Sequence, residues 1–388
     1  MATDIQPDNR ALRYARRARA LAEMAAHDLD ILVLGRQANV RYVTGAPQLW
    51  IAGTRPFGPV CVVVGATGEI HLNSTADEGI PEEIDHDHLY GLAWNPMTLI
   101  AVLQNIDGAS TALRVGIDAL SPTFAKLLPI AFPNAELVDG ESAMQAARRI
   151  KTPEELTAMS TALRVAEDGV AAALTELQPG TPVKTLAGAV LEAMAAGGVS
   201  TPATQDAAWV TSRDHPWQHG GDGGRVQSGD LVVLAAGALA DGYVGEVART
   251  WPAGDAHNAA IRKLYERSNI VWQKLVAACR PGAATSDLLV AYDAVNEPVP
   301  PMPVAYGLGL GFDPPVVTPV LSRSAAQERL DAGMVLAVTG YVWQEGVGAV
   351  LTRDAIRITD DGPVVLTASP SWTDSATRSV RPPAPASG

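Results

Sequence analysis

The sequence predicts an α+β protein built as two domains. Three observations predict it. The 388 residues are too many for one ordinary core. The first half alternates short apolar runs with helical stretches, the rhythm of a small α/β domain. The second half sets long helices among apolar runs joined by tight glycine turns, as antiparallel strands require.

In chain order, Asn9–His27 has helical periodicity and a basic face from Arg10 through Arg19, expected to lie in solvent. "LDILVLG" (Leu29–Gly35) is a continuous apolar run and reads as a buried strand. "PVCVVVGATGEIHL" (Pro59–Leu72) reads as strand, glycine turn and strand. "TALRVGIDAL", a helix near Pro122–Pro129 and "AELVDG" repeat the strand–helix–strand order. A long helix opens at Thr152, with Pro153 at its first position and Glu155 completing a capping box. Leu156, Met159, Leu163, Ala166, Val170, Leu174 and Leu177 give it one apolar face, and Pro179-Gly180 ends it. Helices over about Val183–Ala196, Asp255–Cys279 and Ser286–Val295 follow, among strands. The expected domains are residues 1–148 and 149–370, with a disordered Pro/Ala/Ser-rich tail over 371–388.

Composition removes several functions. A net charge of -13 argues against a broad basic surface for nucleic acid. Cys61 and Cys279 form neither a C-x-x-C nor a metal-binding spacing. The N-terminus lacks the apolar core of a signal peptide or membrane span, so a cytoplasmic protein with no membrane partner is expected.

Four stretches of the second half look unlike core. "SRDHPWQHGGDGGRVQSGD" (Ser212–Asp230) gathers His215, His219, Asp214 and Asp222 among glycines, which let backbone approach a ligand. "GDLVVLAAGALADGYVGEVARTWP" (Gly229–Pro252) reads as two strands around a turn, with Glu246 the one carboxylate inside the second. "PVAYGLGLGFDPPVV" (Pro303–Val317) alternates Gly307, Gly309 and Gly311 but lacks the strand–helix setting of a dinucleotide fingerprint. "GMVLAVTGYVWQEGVGAVLTRDAIRITDDGPVVLT" (Gly333–Thr367) reads as a hairpin and a third strand.

In order and wording these stretches resemble the creatinase, prolidase, aminopeptidase P and methionine aminopeptidase superfamily, known as the pita-bread fold. "LDILVLGRQANVRYVTG" resembles its N-terminal domain, and "RRIKTPEEL" the opening of its catalytic domain. "SGDLVVL…DGYVGEVARTWP", "GLGLGFDPP", "GMVLAV" and "DGPVVLT" follow in the family's order. The resemblance implies a creatinase-like α/β N-terminal domain, a pita-bread C-terminal domain and a homodimer.

In the family's metal-dependent members Asp, Asp, His, Glu and Glu hold two divalent ions, which make water nucleophilic. Carried over by the resemblance, these positions fall on Ala235, Glu246, Tyr306, Thr339 and Arg353. Alanine offers no ligand, and threonine and neutral tyrosine are weak donors. A guanidinium at about 4 Å from an ion contributes repulsion on the order of 4 kcal/mol per unit charge at an effective dielectric near 20. No metal and no cofactor is therefore expected at this place; a single ion near His86 and His88 is the remaining alternative, against an exposed acidic loop.

Creatinase, which resembles this chain in fold, also works without metals, by a histidine and carboxylates on a small guanidino acid. Its histidine corresponds to His219, ten residues before Gly229. Its site glutamate directly precedes the Arg-Thr pair, where this chain has Ala248, with Glu246 two residues earlier. The expected catalytic group is His219 as proton shuttle, Glu246 as base or orienting partner, Tyr306 as donor and Arg353 as a carboxylate clamp or a replacement charge neutralised by Glu246 and Asp354. His215, Asp214, Asp222, Asp313, Thr339 and Tyr341 are candidate substrate contacts. Trp50 is a further candidate, because the resemblance implies that N-terminal domains cap a partner's pocket. The expected function is metal-independent C–N hydrolysis, elimination or cyclisation of a small amino-acid-derived, carboxylate-bearing molecule. The alternatives are a catalytically silent binding or scaffold protein and an Xaa-Pro-type peptidase with an atypical metal site.

Overall fold

A computed structural model describes residues 9–46, 58–74, 79–91, 95–199, 202–204, 206–220, 224–254 and 258–372. The chain divides into two units between Glu154 and Glu155.

The first unit contains α1 (Arg10–Ala26), β1 (Ile31–Leu34), α2 (Gln37–Thr44), β2 (Cys61–Val64), β3 (Ile70–Asn73) and β4 (Leu89–Tyr90). It continues through α3 (Pro96–Gln104), β5 (Arg114–Ile117), α4 (Pro122–Ala131), β6 (Glu136–Asp139) and α5 (Glu141–Arg149). Its strands form one mixed sheet in the order β4-β3-β2-β1-β5-β6. β1 pairs parallel with β5 and antiparallel with β2. Ile31, Val33, Val62, Val64, Val115 and Ile117 face Leu99, Ile100 and Leu103 of α3 and Phe124 and Leu128 of α4.

One expectation fails in α1. Its basic face is not wholly solvated: Arg13 and Arg16 are buried, at 5% and 0% exposure. Arg13 makes a two-pronged ion pair with Glu83, Nε to Oε1 at 2.6 Å and Nη2 to Oε2 at 3.0 Å. Its stem lies against Gly45, where a Cβ would stand 2.1 Å from Cδ, so only glycine fits beneath it. Long basic side chains bury apolar stems when a partner satisfies the head, and Glu83 lies 70 residues away in sequence.

The second unit holds α6 (Pro153–Thr175, its first two residues across the division) and α7 (Val183–Ala196). It continues with β7 (Ala208–Thr211), β8 (His219–Gly220), β9 (Leu231–Ala240), β10 (Tyr243–Pro252), α8 (Ala259–Ala278) and α9 (Asp287–Asp293). The remainder is β11 (Ala305–Leu308), β12 (Phe312–Val317), α10 (Arg323–Gln327), β13 (Val335–Gln344), β14 (Gly348–Thr359) and β15 (Gly362–Val365). The strands form an antiparallel sheet ordered β12-β11-β13-β14-β10-β9-β7-β8, with β15 beside β14.

Strand alternation gives this sheet two faces. On one, Val232, Leu234, Ala236, Val247 and Trp251 pack against Ala162, Val165, Ala166 and Val170 of α6 and Leu186, Val190 and Met194 of α7. The approach is close: a Cβ on Gly245 would lie 2.4 Å from the backbone of Ala162 and Leu163. Glu155, expected in a capping box, accepts from the buried Tyr243 hydroxyl at 3.2 Å. Trp372, inside the stretch expected to be a disordered tail, packs on Tyr265 with ring centroids 4.7 Å apart; residues 373–388 of that stretch lie outside those described. Among the described residues no helix is long and apolar enough to cross a membrane.

Candidate functional site

The other face of this sheet carries the chemistry, and register explains how. Ala235 of β9 pairs with Ala248 of β10, Ala248 with Arg353 of β14, and Arg353 with Thr339 of β13. Direct cross-strand partners share a face, so these four residues make one row across four strands. Two residues along, a second row contains Gly237 level with Glu246, Ala355 level with Ala337, and Ala337 level with Tyr306 of β11. Ala337 and Ala355 are small, and the long side chains of Tyr306 and Glu246 meet in the space they leave.

Glu246 is the centre of the cluster, at 1% exposure. Its Oε2 accepts from the Tyr306 hydroxyl and from Arg353 Nη1, the latter at 3.2 Å. Its Oε1 is buried and accepts no hydrogen bond among the described residues. An unsatisfied buried acceptor costs about 1–3 kcal/mol. Thr204 packs over Gly237, directly across from Glu246, and would clash with any Cβ there, at 2.6 Å.

Arg353 is held at both ends of its guanidinium. Nε donates to Thr339 Oγ1 at 2.9 Å and Nη1 to Glu246, while its Cζ lies 5.9 Å from the centre of the Tyr306 ring. Burial pushes the Tyr306 hydroxyl far above its ordinary pKa; the Arg353 charge opposes this, and the Glu246 charge and hydrogen bond add to it. Tyr306 is thus a neutral donor at physiological pH. Phe312 meets its ring edge-on at 5.2 Å.

Asp354 does not neutralise Arg353, contrary to the sequence expectation. Successive strand residues face opposite ways, so Asp354 lies on the other face and pairs with Arg249, Nη2 to Oδ1 at 2.5 Å. Arg249 Nη1 also donates to the Arg353 carbonyl at 3.0 Å, which fixes the backbone from which the site guanidinium departs.

Beside the cluster an apolar patch surrounds Ala235: Val233, Ala248, Tyr341, Ala349 and Leu351, with Trp209 and Trp217 packed against it. Trp217 takes a φ of 68°, uncommon for a bulky residue. Its N–H donates to the Tyr341 hydroxyl at 3.1 Å and its ring lies 4.2 Å from that of Tyr341. Tyr341 therefore holds a loop. Thr339, fully buried, serves Arg353. Both were expected as substrate contacts; Tyr341, like Thr339, is buried. Sequence reasoning missed Trp209, Trp217 and Thr204; the "HPWQH" segment carried the one available signal, a tryptophan between two histidines.

His219 stands on β8 opposite Thr211 and stacks on Trp209 at 5.3 Å. It is exposed, and β8 is three strands from β10, about 14 Å of sheet at the usual strand spacing. No hydrogen bond joins it to Glu246, Tyr306 or Arg353 among the described residues. His215 is exposed, and its backbone N–H, like that of Asp214, donates to Ser212 Oγ at 3.2 Å. Asp313 is buried on β12, level with Gly307. Trp50 and Asp222 lie outside the described residues. In the first unit His88 packs its ring against His71, centroids 4.4 Å apart.

These donors do not fit a pair of divalent cations. Among the described residues one carboxylate is present in the cluster, and it already holds a guanidinium. Among the described residues no group of three or more His, Cys, Asp or Glu is arranged to hold an ion.

Comparison with known proteins agrees with this architecture. Residues 16–150 match the creatinase/prolidase N-terminal domain and residues 157–361 match metallopeptidase family M24. A putative dipeptidase YkvY of Bacillus subtilis (strain 168) is 26% identical over 345 residues, 86% of this chain and 92% of that protein. A creatinase of Bacillus sp. (strain B-0618) is 22% identical over 394 residues, 92% of this chain and 90% of that protein. The crystal structure of the prolidase from Pyrococcus horikoshii OT3 superposes with a TM-score of 0.73 at 21% identity, covering 92% of this chain and 99% of that one. With the match to its second unit spanning more than half of the sequence, this chain belongs to metallopeptidase family M24 and has the two-domain creatinase-like, pita-bread fold.

Proposed function

We propose that this chain is an enzyme working without a metal ion, by acid–base chemistry on a small amino-acid-derived molecule that bears a carboxylate. The observation that carries this reading is the Arg353 guanidinium, 3.2 Å from the one carboxylate of the cluster, in the space where the resemblance places ion ligands. A permanent positive charge there opposes a cation and suits an anionic substrate group.

In C–N hydrolysis, water gives its oxygen to the carbon and a proton to His219, and His219 returns that proton to the leaving nitrogen. Elimination or cyclisation needs the same shuttle without water. An imidazole can both accept and donate a proton, and strand register puts His219 on the same sheet face as Glu246, which supports the assignment. Glu246 and Arg353 bind and orient, while Tyr306 keeps Glu246 in place. By the family resemblance we also propose a homodimer, which light scattering tests.

A second reading, Xaa-Pro peptidase activity with a metal, is favoured by the relatives, which include a putative dipeptidase and Xaa-Pro dipeptidases of Pyrococcus furiosus and Pyrococcus horikoshii. One experiment separates the two. The protein is purified without added ions, its metal content measured, and Xaa-Pro dipeptides and guanidino acids assayed with and without chelator. Turnover that survives chelation supports the metal-free enzyme. Xaa-Pro cleavage that needs a stoichiometric metal overturns it, and ligand-induced stabilisation with no turnover of any substrate points to a silent binding protein.

A further inference from the structure

The Glu246–Arg353 pair satisfies only half of each partner. Glu246 spends Oε2 on Tyr306 and Arg353 and leaves Oε1 buried without a donor among the described residues. Arg353 spends Nε on Thr339 and Nη1 on Glu246, and its Nη2 donates to no acceptor among the described residues. An acceptor that must be satisfied therefore stands beside an open donor, with opposite charges, in a low-dielectric setting. Solvent reaches the pair at Arg353, whose side chain is 19% exposed, whereas Glu246 at 1% lies deeper. Thr204 bounds the pair on the Gly237 side, and Trp209 and Trp217 pack on the face around Ala235.

We propose that this pair is a recognition site for a small zwitterion. An amine or amidine N–H of the ligand is held on Glu246 Oε1, and its carboxylate is held on Arg353 Nη2. The inference rests on the metal-free reading above and adds which ligand charge goes to which residue. Both contacts are charge-assisted, so loss of either ligand charge weakens binding by about tenfold or more.

Calorimetric titration of the full chain with matched probes tests it: alanine, alaninamide and N-acetylalanine, with β-alanine and guanidinoacetate as longer zwitterions. At least one zwitterion is expected to bind, and alaninamide and N-acetylalanine to bind about tenfold or more weakly than alanine, or not at all. Glu246→Gln should abolish the preference for alanine over N-acetylalanine and keep that over alaninamide; Arg353→Gln should do the reverse. This crossed pattern is one that a merely structural ion pair does not produce. Should either variant fail to fold, the wild-type probe series decides alone. Equal binding of the three alanine compounds, binding by none of the five probes, or loss of both preferences together in both variants overturns the inference. Zwitterion binding without turnover of any substrate leaves it standing and sinks the enzymatic reading. Metal-free turnover of compounds lacking either charge does the opposite.

Discussion

Arg353 Nη1 lies 3.2 Å from Glu246 Oε2, and the two partners are unequally buried, 19% against 1%. Removing the arginine strands a charge with no route to water, whereas removing the glutamate frees an arginine that reaches solvent. Arg353→Met should therefore cost about 3–5 kcal/mol, and Glu246→Gln clearly less. The double variant Arg353→Met/Glu246→Leu should recover most of the loss. Urea denaturation in a double-mutant cycle measures this; equal costs for the two single variants would refute the asymmetry.

Chelation should leave stability unchanged. A divalent ion bound to the folded state at a hundred times its dissociation constant adds about 2.7 kcal/mol, a readily visible rise in melting temperature. We expect EDTA-treated and manganese- or zinc-supplemented protein to melt alike, because Ala235, Thr339 and Arg353 offer no competent ligand set. The combined variant Ala235→Asp/Glu246→Asp/Tyr306→His/Thr339→Glu/Arg353→Glu should gain metal-dependent stabilisation, since it restores the five ligand types the family uses.

Alkaline pH should destabilise the second unit through its buried tyrosines. Burial raises the Tyr306 hydroxyl above its unfolded value, as it does for Tyr265 and Tyr292. For a raised pKa the stabilising contribution is complete below the unfolded value, about 10 for tyrosine, and is lost as pH rises through the folded one. Unfolding free energy should thus fall above about pH 10, by about 1.4 kcal/mol per pH unit for each such tyrosine. Tyr306→Phe should remove one such contribution from the slope. An unchanged slope would mean that this hydroxyl titrates normally.

Gly245→Ala should be among the most damaging single changes in the sheet. Its Cβ would stand 2.4 Å from the backbone of Ala162 and Leu163, so α6 must move off β10. Overpacking of this kind costs about 1–3 kcal/mol or more. Glu246 is the next residue on the strand, so ligand binding should weaken in parallel with the urea midpoint. Gly188→Ala, in the interior of α7 and meeting nothing within 4 Å, is the control: it should leave ligand binding unchanged and not lower the urea midpoint, which helix propensity should raise slightly.

His219→Ala should slow turnover more than tenfold while leaving affinity for a bound zwitterion unchanged, because no hydrogen bond ties His219 to the Glu246 cluster. Loss of affinity with unaltered turnover would reassign it from proton shuttle to ligand contact. Trp209→Ala, which removes the ring on which His219 stacks, should reproduce part of the turnover defect.

Much of the site was legible beforehand because it is carried by short, ordered segments. The strands around Glu246, Tyr306, Thr339 and Arg353 have the period-two alternation and glycine turns that sequence displays directly. The family resemblance then supplied the positions to compare. The environment of Arg13 and Arg16 was not legible, since a basic stripe reads alike whether its partner is water or a Glu83 distant in the chain. Nor was the direction of Asp354: adjacency to Arg353 suggested a pair, and strand alternation separates the two.

By itself the sequence determined the two-domain fold, the succession of helices and strands along the chain and the residue types standing where the resemblance places ion ligands, because propensity, periodicity and turn chemistry are local. Only tertiary structure decided that Glu246 meets Tyr306 over two alanines, that Arg249 rather than Arg353 takes Asp354, and that one oxygen of Glu246 has no donor among the described residues. Those relations depend on register between strands far apart in the chain. A shift of one residue would turn every one of these side chains to the other face of the sheet.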